Sequence, residues 1–582
     1  MSDAAAKPKP AITLLHRRPL LALFFFCFVA WLPGLFTLPP LDRDESRFAQ
    51  ASKQMLETGN LIDIRFGIEP RYKKPVGIYW LQAASAEVLG AVTGDPQHKA
   101  IWIYRIPSLL GAFAAVAGVF WCLSAFAGTE EAFLAALLLG MTLLLSSEAK
   151  IAKTDAVLLA SVVAAQAVLM RVYLSACDPA RAPPSRLLVL GGWAAFAVGI
   201  LIKGPVIIGV GAATVIALLV WDRWKPVEGQ ASWWRWLGRT NPVSGVALTL
   251  LIVLPWLIAI WIQSHGQFYQ QSLGHDFAAK LEGGQETHGA PPGYYLLLTT
   301  LSFWPATLFL LPAIGAAILR RGEPAMRFLI AWAAGWWLLC EIVPTKLPHY
   351  ILPAYPALAM LAALWALAPR GENEPVWQRW LVKLAPFQFL LGILVLAALP
   401  VVALHFYGMS SLWWATALSV LFALLGIAAA IFLLRGDNIK AVAAALACVL
   451  VLYPTLTLGV APRLTRIWVS PRLAALVAKD SRPGDPPPVL AGYEEPSLVF
   501  LLGTDTLLSN GFGAADSGAD RGGVALIEDR QRPAFLARLA EREADADPVD
   551  ELTGVDYSRG KKVHITLYRV TKVRGATTPS DQ

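Results

Sequence analysis

The sequence predicts an all-α polytopic membrane protein of about 13 transmembrane helices, with a small α/β extramembrane domain at its C-terminal end. Three observations predict it. Of 582 residues, 56% are apolar and 15% charged, with a mean hydropathy of +0.53, whereas soluble domains carry about 25% charged residues. Apolar runs near the roughly 20 residues needed to cross a bilayer recur along the chain as far as Val460. Beyond Val460 no such run occurs, and loop punctuation such as Arg482-Pro483-Gly484-Asp485-Pro486 takes over.

The spanning runs fall at 19–38, 104–126, 130–148, 156–176, 186–202, 204–222, 243–263, 293–319, 326–343, 348–368, 384–405, 411–434 and 438–460. The first is long enough to span and is followed by Pro39-Pro40 rather than a small-residue cleavage site, so it reads as an uncleaved helix. The stretch from Val76 to Val92 is shorter and carries Gln82, Ser85 and Glu87, which suits a helix lying at the interface. Counting 13 spans from a cytoplasmic N-terminus puts 19 Lys and Arg in the cytoplasmic segments and 5 in the short loops opposite. The positive-inside rule favours that orientation, and making 76–92 a span would invert it.

The expected domains are therefore a transmembrane unit over 1–460 and an α/β unit over 461–582 on the non-cytoplasmic side. The first unit includes outward loops at 39–103 and 264–292. In the second, strand-like stretches occur at Val489–Gly492, Leu498–Leu502, Val524–Glu528 and Val563–Val570. All five cysteines lie in or at the end of apolar runs, so no disulfide framework is implied. The net charge of +8 comes without a basic stripe, and no nucleic-acid partner is expected.

One face collects the chemistry. Asp42, Asp44 and Glu45 follow the first span directly, and carboxylates at a membrane boundary are costly unless solvated or paired. Their simplest role is at a helix start, in a helix running to about Thr58. The same side, however, also carries Lys73-Lys74-Pro75 with Tyr79-Trp80, Asp155, Lys203, the loop with His275, Asp276, Lys280 and His288, and Lys346-Leu347-Pro348-His349-Tyr350. Seven of the eight histidines fall on this side, His16 being the exception.

Lysines at a bilayer surface can bind a phosphate headgroup as point charges. Carboxylates can act as a general base or stabilise an oxocarbenium-like centre in glycosyl transfer. No nucleotide-binding fingerprint appears on the cytoplasmic side, so a sugar donor used outside would be lipid-linked. A transporter would gather charges too, but near the midplane in broken helices rather than at helix ends. The reading is an enzyme.

Three segments carry a family resemblance: Asp44-Glu45-Ser46-Arg47-Phe48-Ala49, Tyr72-Lys73-Lys74-Pro75 with Tyr79-Trp80, and Lys346-Leu347-Pro348-His349-Tyr350-Ile351-Leu352-Pro353. With them the whole chain resembles the GT-C glycosyltransferases of the protein mannosyltransferase/ArnT class, nearest to the bacterial aminoarabinose transferases that modify lipid A. The resemblance implies transfer, with inversion, of one sugar (aminoarabinose, hexuronic acid or hexose) from an undecaprenyl-phosphate donor. The acceptor would be lipid A or another envelope glycan, reached on the periplasmic side of a bacterial inner membrane. Acceptance by a protein hydroxyl is the alternative within the class, and a lipid-linked-sugar flippase or exporter the alternative outside it.

By position, the resemblance makes Asp44 the principal catalytic carboxylate, with Glu45 beside it and Asp155 as a second acid. Lys74 is expected on the carrier phosphate, and Lys203, Lys346, Tyr350 and Tyr72 on the headgroup or donor. Arg47 is expected to position the Asp44-Glu45 turn. One departure matters: relatives read Glu-Lys-Pro where this chain has Lys73-Lys74-Pro75, and in them that Glu with a loop histidine can hold a metal. An ammonium has no lone pair to give. A divalent metal is then left with His275, Asp276 and His288 as weak candidate ligands, and the case for aminoarabinose itself is weakened.

Overall fold

The computed structural model describes residues 18–227, 232–277, 289–369, 374–408 and 411–572. The helical unit opens with α1 (Pro19–Trp31), α2 (Asp44–Thr58), α3 (Gly77–Thr93), α4 (Ile101–Leu123), α5 (Thr129–Gly140), α6 (Leu143–Glu148), α7 (Asp155–Cys177), α8 (Arg186–Lys203) and α9 (Pro205–Trp224). It continues through α10 (Pro242–Gln263), α11 (Tyr294–Ser302), α12 (Thr307–Leu319), α13 (Pro324–Ile342), α14 (Tyr355–Leu367), α15 (Val376–Tyr407), α16 (Trp413–Leu434) and α17 (Asn438–Pro454).

Each of the 13 apolar runs is mainly helical, but among the described residues ten helices are long and apolar enough to cross a membrane. The difference lies in three runs. The first ends its helix at Trp31, ahead of Pro33 and Gly34, the latter at φ 88°. The run 130–148 is split where Thr142 leaves the helix and caps α6 through Leu145 N–H. The run 293–319 is split into α11 and α12. A chain that is continuously apolar need not be continuously helical, because backbone groups freed at a break are satisfied by neighbouring helices. Leu143 N–H, for example, donates to the Trp304 carbonyl.

The stretch read as interfacial is α3, a 17-residue helix packed on α2 and α4. The segment Pro348–Leu367, a 3-10 turn leading into α14, is the most enclosed of the ten spans, while α9 and α10 expose most of their surface. The core therefore sits around α14, with α9 and α10 at the rim.

The C-terminal part contains α18 (Val469–Asp480), α19 (Pro496–Leu502), α20 (Gly511–Arg521) and α21 (Arg532–Glu541) around a sheet. Two short strands, β1 (Arg65–Phe66) and β2 (Glu69–Pro70), form a hairpin in the helical unit. The larger sheet holds β3 (Val489–Ala491), β4 (Leu507–Ser509), β5 (Gly523–Glu528), β6 (Ala546–Asp556) and β7 (Lys561–Val570), in the order β4-β3-β5-β7-β6. β3 runs parallel to β4 and β5, while β7 is antiparallel to β5 and β6. One apolar core joins α18 and α19 to one face, and another joins α20 and α21 to the opposite face.

Three of the four expected strands are present. The fourth, 498–502, is α19: Pro496 occupies the first turn of a helix whose residues from Pro496 to Phe500 are all buried. A short buried apolar run has no periodicity to separate strand from helix. Strands β4 and β6 were not anticipated. Both are edge strands, and their polar or mixed composition hides them.

Candidate active site

Asp44 starts α2. Arg43 before it adopts φ 62°, a positive value that a side chain disfavours, and Gly59 closes the helix in the left-handed region at φ 68°. At this helix N-terminus the dipole favours Asp44 and Glu45 as anions, yet the two carboxylates have opposite surroundings. Asp44 is exposed and makes no hydrogen bond or ion pair among the described residues. Glu45 is 1% exposed and saturated.

The partner of Glu45 is Arg105 of α4, which is fully buried. Its Nε and Nη2 donate to Glu45 Oε1 and Oε2 at 2.8 and 2.9 Å. The remaining N–H groups donate to the Leu35, Leu38 and Pro39 carbonyls at 2.8 to 3.0 Å. Glu45 also accepts from Leu41 N–H and Ala152 N–H, each at 2.9 Å. All five guanidinium donors are used and tie the exit of α1 to the start of α2, while Glu45 itself holds the loop before α7 through Ala152. Glu45, expected beside Asp44 as a catalytic acid, is instead the buried anchor of the turn that presents Asp44.

A second group of charges gathers from four other segments. Lys203 is the last residue of α8, where Gly204 at φ 52° and Pro205 stop the helix and start α9. Its Nζ lies 2.6 Å from Oδ1 of Asp155, the first residue of α7, and 5.3 Å from the Tyr350 ring centroid. Lys153 Nζ donates to Glu148 Oε1 at 2.8 Å and lies 3.4 Å from His349 Nδ1 and 3.6 Å from Asp155 Oδ2. His349 and Tyr350 meet edge-on at 5.0 Å.

Asp44 and Lys74 both bear on this group. Burial disfavours the Lys153 charge, but Glu148, Asp155 and Asp44 together outweigh it and hold the ammonium above the ordinary lysine range. Lys74, half-buried just before α3, lies within electrostatic reach of His349, as do Asp155, Lys153 and Lys203. The site thus combines an exposed carboxylate, a lysine cluster and buried counter-charges at one end of the helical bundle.

Two expected contacts lie elsewhere. Lys346 is 3% exposed, and its Nζ donates to the Cys340, Glu341 and Val343 carbonyls at 2.9 to 3.0 Å. It caps the end of α13, where a cation suits the helix dipole, and has no donor left for a headgroup. The Tyr72 hydroxyl donates to Asp63 at 2.7 Å, and Arg65 holds the other carboxylate oxygen at 2.7 Å. That makes Tyr72 a strut of the loop before α3, and burial with the Asp63 hydrogen bond raises its pKa further. Arg47 is half-buried on α2, the helix that Asp44 starts.

Lys153, Glu148 and His349 were not assigned roles from sequence. The signal was there for Glu148, a carboxylate inside an apolar run, and for His349, which sits within the Lys346–Pro353 motif.

Glu148, Asp155 and His349 bring three ligand atoms within 4.8 Å of one another. That donor set suits a divalent metal by residue type, but its charge does not. Lys153 and Lys203 already lie 2.8 and 2.6 Å from the two carboxylates. A metal here would add uncompensated positive charge to a buried, balanced group, so no metal is assigned to it. Of the weaker candidates, His275 and Asp276 have their backbone in the turn Gln270–Phe277, and their side chains lie outside what is described. His288 lies outside the described residues.

Comparison with known proteins finds similarity in sequence over part of the chain and in fold over most of it. Residues 18–266 match the family model for dolichyl-phosphate-mannose-protein mannosyltransferases. An undecaprenyl phosphate-alpha-4-amino-4-deoxy-L-arabinose arabinosyl transferase of Aeromonas salmonicida is 27% identical over 383 residues, 64% of this chain and 64% of that protein. The protein of the same name from Edwardsiella ictaluri is 28% identical over 362 residues, 61% of this chain and 60% of the relative. The matched region thus spans somewhat under two thirds of these relatives. The crystal structure of ArnT from Cupriavidus metallidurans bound to undecaprenyl phosphate superposes with a TM-score of 0.73 at 18% identity, covering 96% of this chain and 99% of that one. This chain therefore shares the GT-C fold over 96% of its length.

Proposed function

We propose that this chain, an ArnT-like multi-pass membrane protein of the GT-C class, is a glycosyltransferase that moves one sugar from a polyprenyl-phosphate donor to lipid A or another envelope glycan. The site faces the periplasm from the inner membrane, in keeping with the 19-to-5 distribution of Lys and Arg between the two sets of loops. The observation that carries the reading is the largely buried cluster of Lys153, Lys203, Glu148, Asp155 and His349, with Asp44 among the charges that bear on Lys153 and Lys74 among those that bear on His349. An exposed base and a cationic cradle are the two halves that displacement of a sugar from a phosphate needs.

Lys74, Lys153 and Lys203 stabilise the charge that develops on the carrier phosphate as it leaves. Asp155 and Glu148 hold Lys203 and Lys153 in place, so the ammoniums meet the phosphate without reorganising. Tyr350 packs its ring against Lys203. Asp44, exposed and without a hydrogen bond or ion pair among the described residues, accepts the proton of the acceptor hydroxyl as it attacks the anomeric carbon from the opposite face, which inverts the configuration.

The match of residues 18–266 to mannosyltransferases of proteins supports a second reading, in which the acceptor is a protein hydroxyl. Mass spectrometry of lipid A and of periplasmic proteins, from strains with and without the protein, tests both. A sugar lost from lipid A supports the first reading, and one lost from proteins supports the second. Unchanged glycans in both fractions contradict glycosyl transfer.

A further inference from the structure

Asp44 is flanked on both sides by the C-terminal domain. Before it, the Asp42 backbone N–H donates to the Tyr557 hydroxyl at 2.7 Å, Ser497 Oγ donates to Asp42 Oδ1, and Arg43 Nη2 donates to the Ser558 carbonyl at 2.5 Å. After it along α2, Gln50 Nε2 donates to Thr504 Oγ1 at 2.6 Å, and Thr504 donates to Glu57 Oε2 at 2.5 Å. Lys53 of α2 lies 5.8 Å from the centroid of the fully buried Phe500 ring, which also meets Tyr104 edge-on at 5.6 Å. These contacts come from α19, the turn after it and the β6–β7 turn, all in one domain.

The contacts also sit where the backbone needs them. Arg43 holds a positive φ of 62° between Asp42 and Asp44, a conformation that persists only where its surroundings impose it. Its guanidinium is fixed by Ser558 and the residue before it by Tyr557 and Ser497.

We propose that the C-terminal domain is a positioning clamp for Asp44: Tyr557, Ser497 and Ser558 fix the strap before it, and Phe500 and Thr504 fix its helix, so this domain sets the reach of the carboxylate. The proposal rests on the reading that Asp44 acts on the substrate. It makes Ser497, Tyr557 and Asp42 positioning residues rather than catalytic ones.

Asp42 gives the clamp a pH response. Burial pushes its carboxyl up to about 7; the Ser497 hydrogen bond opposes the rise and the nearby Glu495 and Asp556 carboxylates add to it. Glu495 is itself raised by burial, and Arg43 and Arg559 oppose that shift. Tyr493 and Tyr557 also face Asp42. A carboxyl raised in the docked state stabilises docking while it is neutral, and that stabilisation is lost as pH rises through about 7.

The test uses the full-length protein. Ser497→Ala combined with Tyr557→Phe is expected to lower kcat roughly ten- to a hundredfold, as for a misplaced catalytic group. Donor KM and thermal protection by undecaprenyl phosphate should stay within about twofold of wild type, and amide exchange over residues 41–58 should quicken. Asp42→Asn keeps an acceptor for Ser497 but cannot ionise, so it should retain turnover at about pH 8.5, where the wild type declines. Unchanged exchange over 41–58 in the double variant would overturn the clamp, and so would identical pH profiles for wild type and Asp42→Asn. Turnover that survives Asp44→Asn overturns the reading of Asp44, while the exchange result still decides the clamp.

Discussion

Lys203 Nζ lies 2.6 Å from Asp155 Oδ1, joining the last residue of one membrane helix to the first residue of another. Both groups are buried, so neither charge is tolerable alone. The pair explains how a lysine and a carboxylate 48 residues apart come into contact, within the group of charges proposed to cradle the carrier phosphate.

Removing both partners should therefore cost less than the two single losses added together. Asp155→Asn and Lys203→Met are each expected to raise donor KM, by roughly ten- to a hundredfold for a charge-assisted contact of about 1.5–3 kcal/mol. The double variant should fall short of the sum by about 0.5–3 kcal/mol of coupling. A double-mutant cycle on donor KM measures this, and strict additivity would separate the two residues.

Arg105 and Glu45 should govern folding more than chemistry. Arg105→Met leaves a buried carboxylate without its partner, and such a loss costs about 3–5 kcal/mol. The expected result is a large fall in melting temperature in detergent, with any surviving protein still binding undecaprenyl phosphate. A variant as stable as wild type would show that the five hydrogen bonds of Arg105 are dispensable.

Lys346 separates a cap from a ligand. If it closes α13, Lys346→Met should lower stability by about 1–3 kcal/mol through carbonyls left unsatisfied, with donor KM unchanged. A raised donor KM at normal stability would return it to the headgroup site.

Chelation bears on the counter-charge. Because Lys153 and Lys203 already neutralise Glu148 and Asp155, EDTA is expected to leave turnover unchanged. Activity lost to EDTA and restored by zinc would contradict this and direct attention to His275, Asp276 and His288.

How far the sequence reaches depends on what each residue's neighbours are. Asp44, Asp155, Lys203 and Tyr350 were legible because polar groups at the ends of apolar runs are expensive and seldom idle. Lys346 and Tyr72 sit in equally conspicuous motifs, yet spacing alone does not tell a ligand from a cap or strut. Their partners, the carbonyls of Cys340, Glu341 and Val343 and the carboxylate of Asp63, are set by the chain's path. Arg105 escaped notice inside a span because its five acceptors come from Glu45 and from backbone carbonyls, which are the same in every sequence. The fold class was legible from hydropathy, whereas the breaks in the runs 130–148 and 293–319 were not, since apolar composition does not encode where a helix stops.

The measurement that bears most directly on the central claim is single-turnover sugar transfer by Asp44→Asn in proteoliposomes supplied with a polyprenyl-phosphate sugar and lipid A. Transfer should be abolished while undecaprenyl phosphate still raises the variant's melting temperature as it does the wild type's. Transfer at the wild-type rate would contradict the account, because the exposed carboxylate proposed as the base would then have no part in the reaction.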